Sequence, residues 1–508
     1  MVEQDATARA GVSASRIQPR VVGACRVLWL GLALAALLAA WVAATLPFGA
    51  PDEKDHYLRA LGIANGQLVG PKVPWIDPLI SRAEEAWASL DSRGVLVPAR
   101  LSPPGRPCVD GRLDVGRGEC IEATHTGDYQ PLPYLLPALS LSVSRDAATG
   151  LWLSRAASAV QCLVFIILAI ALLWSGSILS VLGLLAAVSP QVLFVGSVVN
   201  PNGLEIAAGL AFAAGVLRVA RDPSHAPAWV WVALAASGMV TALSWQLGLV
   251  FVLIDLVLLT GLLGRRRVRE LLVARPRRLL LVCLGLLVSV GLFLGYGLSS
   301  GALHSSFSIT PFGENLRLGV DQLREVFEQS VGVFGSLTVF LPAGAYWIWW
   351  TLVLALLGAA LVLGSRRERV VLVFLAALGL LFPALFYAWI YKGTGFSLQG
   401  RYVLPILALV PMVAGEVVFG HQQRFLRWVG HRAMAGVVAI MAGFQLLAWW
   451  IAASNAAGEP HTFWFFTHPA WSPPIGWWPW ALLAILGSTA LLTSAAWQPL
   501  RRRRPLPV

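Results

Sequence analysis

The sequence predicts an all-α membrane protein with about twelve transmembrane helices and a large extracytoplasmic loop between the first and second helices. Three observations carry that expectation. Hydrophobic residues make up 57% of the 508, and the mean hydropathy is +0.70, which is more apolar sequence than a water-soluble core uses. The apolar residues fall in runs of about 20, the length at which a helix crosses a bilayer. The charged residues, only 13% of the chain, gather in the connections between those runs.

Along the chain, residues 1–25 form a polar tail ahead of the first span at 26–46, so that span reads as a retained signal anchor rather than a cleaved signal peptide. Further spans are predicted at 155–174, 178–196, 203–219, 228–243, 247–263, 279–298, 345–363, 370–390, 402–419, 433–453 and 477–497. The membrane domain therefore covers 26–498, and 499–508 is a basic tail. The first outer loop, 47–154, holds a helical stretch from Ala83 to Leu90, a Pro-rich turn at Ser102-Pro103-Pro104-Gly105 and a return segment, Asp128-Tyr129-Gln130-Pro131-Leu132-Pro133-Tyr134. Most connections are short, and ones this long tend to be functional. A second outer segment, 300–342, contains an amphipathic helix from Asn315 to Gln329 with Leu316, Val320, Leu323 and Phe327 on one face, the pattern of a helix lying on the membrane. A third, 454–476, leads into a Trp-rich stretch that reads as an aromatic belt.

The formal net charge is +12 and the pI about 10.1. Such a balance suits nucleic acid, but all but three of the 38 basic residues are Arg and most lie in short connections, where the positive-inside rule explains them better. Assigning alternate connections to the cytoplasm places 23 arginines there, against Arg317, Arg324, Lys392 and Arg401 in the short connections opposite. Both termini are thus expected in the cytoplasm of a multi-pass plasma (inner) membrane protein. No nucleic acid partner is expected, and membrane lipid surrounds the spans. Of the five cysteines, Cys108 and Cys120 are the two in the first outer loop, and a disulfide between them suits an oxidising compartment.

The densest polar cluster follows the first span: Pro51-Asp52-Glu53-Lys54-Asp55-His56-Tyr57-Leu58-Arg59. Pro51 at the first helical position puts Asp52 and Glu53 in the first turn, where free N–H groups stabilise negative charge. Asp52, Asp55, His56 and Arg59 then share one helical face. Within the spans, Glu205 is an intramembrane carboxylate and hence a functional candidate by default, whereas Asp255 reads as a helix–helix hydrogen-bonding residue. The outer-side histidines, His125, His304 and His461, are too scattered along the chain to read as a metal site.

These segments, with Asn200-Pro201-Asn202 and Glu205, and Gln399-Gly400-Arg401-Tyr402 with Pro405, together resemble a family of bacterial polytopic membrane proteins related to the GT-C glycosyltransferases, in the same order over roughly 26–450. The resemblance implies a GT-C-like fold with an acidic active-site motif in the first outer loop. It also implies inverting transfer of a sugar from a polyprenyl-phosphate donor to an envelope glycan, lipid or protein on the outer face of the plasma membrane.

The residues suit that chemistry. Glycosyl transfer needs a carboxylate to take the acceptor's proton and a cation to steady the departing phosphate. Asp52 is the first candidate for the base; Glu53 either shares that role or, with Asp52, holds a divalent metal. Arg401, Arg59 and Lys392 are candidates for the phosphate, the arginines ahead because their fork binds it bidentately. His56, Tyr129, Gln130, Asn200, Asn202, Glu205, Gln399 and Tyr402 complete the expected substrate-binding set. A phosphate-binding Gly-rich loop, a nucleophile elbow and a His-Glu-x-x-His zinc motif are all missing from the sequence. The rival readings are a transporter or flippase of a lipid-linked sugar, and a non-enzymatic envelope-assembly protein.

Overall fold

The computed structural model describes residues 3–73, 92–105, 119–223, 225–301, 311–394, 398–460 and 462–497, with side chains outside 3–21 and 390–394. Helix α1 (Glu3–Ala43) carries the first apolar span, Val22–Ala43. The long loop follows, with α2 (Glu53–Ala64), strands β1 (Lys72–Val73), β2 (Ser92–Pro98) and β3 (Glu119–Thr124), and α3 (Leu135–Ser142). Helix α4 (Ala147–Leu173) re-enters the apolar layer, and the short helices α5 (Leu182–Ala187) and α6 (Pro190–Gly196) come next. Then follow α7 (Pro201–Arg221), α8 (Ala228–Ser244), α9 (Gly248–Ala274) and α10 (Pro276–Ser300). After them stand α11 (Phe312–Asp321), α12 (Leu323–Gly332) and a hairpin of β4 (Val333–Phe334) and β5 (Val339–Phe340). The chain closes with α13 (Ala343–Leu363), α14 (Arg366–Thr394), α15 (Gly400–Gly420), α16 (Gln422–Ala456) and α17 (Trp478–Thr493).

Among the described residues, 10 helices are long and apolar enough to cross a membrane, or 11 if the bent pair is one span. That pair, Ile178–Ala187 with Pro190–Gly196, is bent by 68°, because Pro190 lacks an N–H and disfavours a helical residue before it. The predicted fifth span of twelve, 228–243, is the shorter α8 of 17 residues. Helices α7 and α15 form the centre, with 89% and 83% of their apolar windows buried, whereas α10, at 17%, lies at the rim. The α5–α15 crossing depends on two glycines: a Cβ on Gly183 would stand 2.3 Å from the Pro411 carbonyl oxygen, and one on Gly415 would stand 2.6 Å from Gly183 Cα. Small residues at such a crossing let the backbones touch.

The long loop contains a small sheet that the sequence reading did not expect. Strands β1, β2 and β3 pair antiparallel in that order, with Arg93 opposite Thr124 and Val97 opposite Cys120. Helix α2 packs Leu58 and Leu61 against Val95, Val97 and Tyr134 in a separate apolar cluster. The expected helix at 83–90 lies outside the described residues. Cys120 is disulfide-bonded, Cys25, Cys162 and Cys283 are free, and Cys108 lies outside the described residues.

The single amphipathic helix expected at 315–329 is two helices meeting at Gln322. Its inward side mixes small and polar residues with one apolar residue: Asn315, Gly319 and Gln329 are buried together with Val326, while Val320 is 52% exposed. Gly319 allows this, since a Cβ there would lie 2.9 Å from the Ala384 carbonyl oxygen on α14. Asp255 on α9 is buried with Oδ1 unpartnered, so that oxygen does not make the expected helix–helix bond.

Candidate active site

Helix α2 begins one residue later than expected. Asp52 is its N-cap, in the left-handed region at φ 59°, so Pro51 lies before the helix and Glu53 opens it. Asp is among the residues that tolerate this conformation, and strained backbone of this kind clusters at functional sites. The consequence is that Asp52 and Glu53 point to different surroundings.

Glu53 is fully buried in an ion pair with Arg155 of α4. Arg155 donates Nε to Oε1 at 2.7 Å and Nη2 to Oε2 at 2.6 Å. Its remaining N–H groups donate to the carbonyls of Val42, Thr45 and Leu46 at the end of α1, at 3.1, 2.9 and 2.8 Å. The Val199 amide also donates to Glu53 Oε1 at 3.3 Å. With both oxygens committed, Glu53 is not placed to act as base or to share a metal with Asp52; it anchors α2 to α1, α4 and the chain before α7. Among the described residues, no three His, Cys, Asp or Glu side chains converge to hold a metal.

Arg59, expected to bind phosphate, is likewise engaged within the fold. It is buried, with Nε and Nη2 donating to the Tyr129 carbonyl at 3.1 and 2.6 Å, and Nη2 also to the Tyr296 hydroxyl at 2.8 Å. Its guanidinium therefore clamps the return segment to α2 and α10. His56 is 3% exposed and shares a 2.9 Å hydrogen bond with the Tyr134 hydroxyl through Nδ1. Burial lowers its pKa to about 3, against the opposing pull of Asp52, so the ring is neutral at neutral pH.

Asp52 pairs with Arg401, which heads α15. Arg401 Nη2 donates to Asp52 Oδ2, Nη1 to the Pro51 carbonyl at 3.4 Å, and Nη2 also to the Tyr402 hydroxyl at 3.3 Å. The Arg401 side chain is 3% exposed and that of Asp52 34%, so the carboxylate is the open half of the pair. Burial raises the Asp52 pKa, but Arg401, His125 and His56 together outweigh it and hold the carboxyl at about 2. The Arg401 Nε is buried without a partner, as is Gln399 Oε1 beside it. Tyr402 stacks on Trp245 at 4.7 Å, and the Tyr129 ring lies 6.0 Å from that of His56.

The structure thus brings Asp52, His56, Tyr129, Gln399, Arg401 and Tyr402 to one place. The other expected ligands are held by contacts of their own. Gln130 donates to the Phe293 carbonyl at 3.4 Å; Asn200 caps α7; Asn202 donates to the fully buried Glu205 at 3.1 Å. Lys392 is in α14, but its side chain lies outside the described residues. Sequence reasoning missed Arg155 and Trp245, and it left His125 aside. An Arg at the head of an apolar span, as at Arg155, was the one signal that pointed to a buried partner.

The stretch 35–410 matches a family described as "Predicted membrane protein (DUF2142)". The chain belongs to that family. The matched stretch contains every expected site residue from Asp52 to Tyr402. No curated protein matches the chain. A solved structure similar to it is ArnT from Cupriavidus metallidurans in the apo state, at 14% identity and a TM-score of 0.42, covering 92% of this chain and 76% of that one.

In this DUF2142 protein an apolar groove of about 690 Å³ opens between α13, α14 and α15 beneath α12. Trp350, Leu354, Leu380 and Leu407 line it, and Arg324 and Glu328, paired at 2.9 Å, stand at its mouth. Leu407 and Arg401 share α15, about 9 Å apart along its axis at 1.5 Å per residue. Helix α12 links the two places, since Gln329 Oε1 accepts from the Gly400 amide at 2.7 Å.

Proposed function

We propose that the protein is a GT-C-type glycosyltransferase that moves a sugar from a polyprenyl-phosphate donor to a cell-envelope acceptor on the outer face of the plasma membrane. The observation that carries this reading is the Asp52–Arg401 pair, a partly open carboxylate bound to a buried guanidinium at the head of a central apolar helix. Acid and cation are the two groups that glycosyl transfer from a phosphate requires, and they already touch.

In the resting site Arg401 holds Asp52 as a weak base. A donor phosphate competes for the same guanidinium, with the unpartnered Nε adding a second donor to make the fork bidentate. The polyprenyl tail lies in the apolar groove along α15. Once the phosphate occupies Arg401, Asp52 loses the charge that depresses it while its burial remains, so its basicity rises. The acceptor hydroxyl then attacks the anomeric carbon, its proton passes to Asp52, and the bond to phosphate breaks with the electron pair on the phosphate.

The test is transfer from radiolabelled polyprenyl-phosphate sugars in membranes, with polyprenyl-phosphate binding measured alongside. Asp52→Asn should lose transfer by about 100-fold or more, yet bind polyprenyl phosphate more tightly because Arg401 is released. Transfer that persists in Asp52→Asn removes Asp52 from the chemistry. The rival reading, a lipid-sugar transporter or flippase, draws on the bent pair α5–α6, since broken helices serve transport. It predicts sugar-lipid translocation without any glycan product.

A further inference from the structure

We propose that the cavity at the Gly430 elbow of α16, at the end of the molecule away from Asp52, binds the headgroup of an anionic phospholipid; the site goes beyond the glycosyl-transfer reading and does not depend on it.

Helix α16 changes direction at Gly430, whose φ of 74° and ψ of 162° are open to glycine and strained for other residues. A Cβ there would meet nothing within 4 Å, so the backbone turn, rather than a lack of space, is what requires glycine. The elbow divides α16 into a short arm, 422–429, and a long run, 431–456. Between them, closed off by the turn Ile178–Val181 and the chain after α17, lies a cavity of about 180 Å³. Leu426 lines it from the arm, His431 and Arg432 from the long run, Ser177 and Leu179 from the turn, and Trp497 from beyond α17.

Helix α1 fixes the depth of this cavity. Arg26 donates Nη1 to the Gly176 carbonyl at 3.3 Å, and its guanidinium lies 5.4 Å from the centre of the Trp497 ring. The other end of the same apolar span adjoins the Glu53–Arg155 pair, because Arg155 donates to the Val42 carbonyl. From Arg26 to Val42 the helix rises about 24 Å at 1.5 Å per residue. The cavity therefore sits where headgroups meet hydrocarbon, in the leaflet away from Asp52.

The lining selects the ligand. Among the described residues no acidic side chain lines the cavity, and neither His431 nor Arg432 has a hydrogen-bond or ion-pair partner. Ser177 Oγ accepts from the Leu179 amide at 3.3 Å, and its own hydrogen has no acceptor among the described residues. Arg432 thus offers a phosphate the paired N–H groups of its fork, with the Ser177 hydroxyl as a further donor. The other walls, Leu179, Leu426 and Trp497, are apolar and suit the start of an acyl chain. Free phosphate leaves those walls wet, and a zwitterionic headgroup brings a second, positive charge toward Arg432. Basic pockets between membrane helices take anionic headgroups for these reasons.

The experiment titrates the full-length protein in detergent with dioleoylphosphatidylglycerol, dioleoylphosphatidylcholine or inorganic phosphate, following thermal unfolding and counting bound lipid by native mass spectrometry. Phosphatidylglycerol should bind and raise the unfolding temperature, whereas phosphatidylcholine and phosphate should not. Arg432→Ala should weaken phosphatidylglycerol binding about tenfold. Ala435→Trp, which fills the cavity and keeps its charges, should weaken it as far. Arg427→Ala, an exposed position on the arm outside the cavity, should change it less than about twofold. Equal binding of the two lipids, or phosphate binding as tight as the lipid's, overturns the headgroup assignment. Undiminished binding in Arg432→Ala overturns it too, as does an equal loss in Arg427→Ala, which marks attraction spread over the basic surface. Unchanged binding in an Ala435→Trp protein whose lipid-free unfolding matches wild type puts the lipid outside the cavity and removes the site.

Discussion

Two neighbouring side chains, Asp52 and His56, respond to acid in different windows because their surroundings shift them for different reasons. Burial takes His56 from its ordinary 6.5 down to about 3, so the folded protein resists protonating it. The stability this represents is complete above pH 6.5 and is lost as pH falls toward 3; the shift corresponds to roughly 5 kcal/mol for so buried a ring. Asp52 is held at about 2 rather than 3.8, because the Arg401 ion pair and the two histidines overcome the effect of burial. Its contribution is present above 3.8 and disappears as pH falls through 2. That contribution is small, since solvent screens a carboxylate one-third exposed. Thermal unfolding in detergent, measured across this range, should therefore decline mainly below pH 6.5, and His56→Gln should flatten the decline. Superimposable curves for His56→Gln and wild type would remove the buried imidazole as its cause.

At the scale of elements, one residue holds three of them together. Arg155 satisfies carbonyls of Val42, Thr45 and Leu46, groups that the end of α1 leaves without helical partners, and neutralises Glu53 at the start of α2. Arg155→Met strands a buried carboxylate and should destabilise the protein by about 3 to 5 kcal/mol. The double variant Glu53→Gln/Arg155→Met should recover part of that loss, and detergent unfolding of the three variants decides it; a double variant worse than the sum of the singles would contradict the pairing. The helices themselves were legible because apolar runs of membrane length leave little alternative. The α2 boundary was misjudged by the weight given to Pro51 as a first helical residue. Strands β2 and β3 escaped because their apolar runs are short and Gly94 and Pro98 interrupt the pattern. The site was half legible: Asp52 and Arg401 stood out as polar residues at the edges of apolar runs. The pairings of Glu53 with Arg155 and of Asp55 with His125 join residues 102 and 70 positions apart, and one sequence does not say which residues such long-range contacts join.

For the whole molecule, the unequal spread of arginines gives an expectation about which face is outside, and the fold says which residues share a face. Arg93 Nη2 donates to the Ser300 carbonyl at 2.6 Å, so the C-terminal end of α10 lies against the sheet of the long loop. Helix α10 has 25 residues, about 37 Å at 1.5 Å per residue, which exceeds the hydrocarbon thickness of a bilayer. The Arg-rich stretch 265–278 at its other end is thus separated from the Asp52 site by the full apolar layer. The positive-inside rule predicts that stretch to be cytoplasmic and Asp52 to face outward. The free, exposed Cys25 and Cys283 must first be replaced by Ser, since either would react in a labelling assay. In that background Leu68→Cys, at a position 59% exposed on the loop face, should react with a membrane-impermeant maleimide in intact cells. Arg269→Cys should react only after the cells are opened. The reverse pattern would place the Asp52–Arg401 pair on the cytoplasmic side, where the donor would have to be one presented to the inner leaflet, and the outward-facing reaction would fall with it.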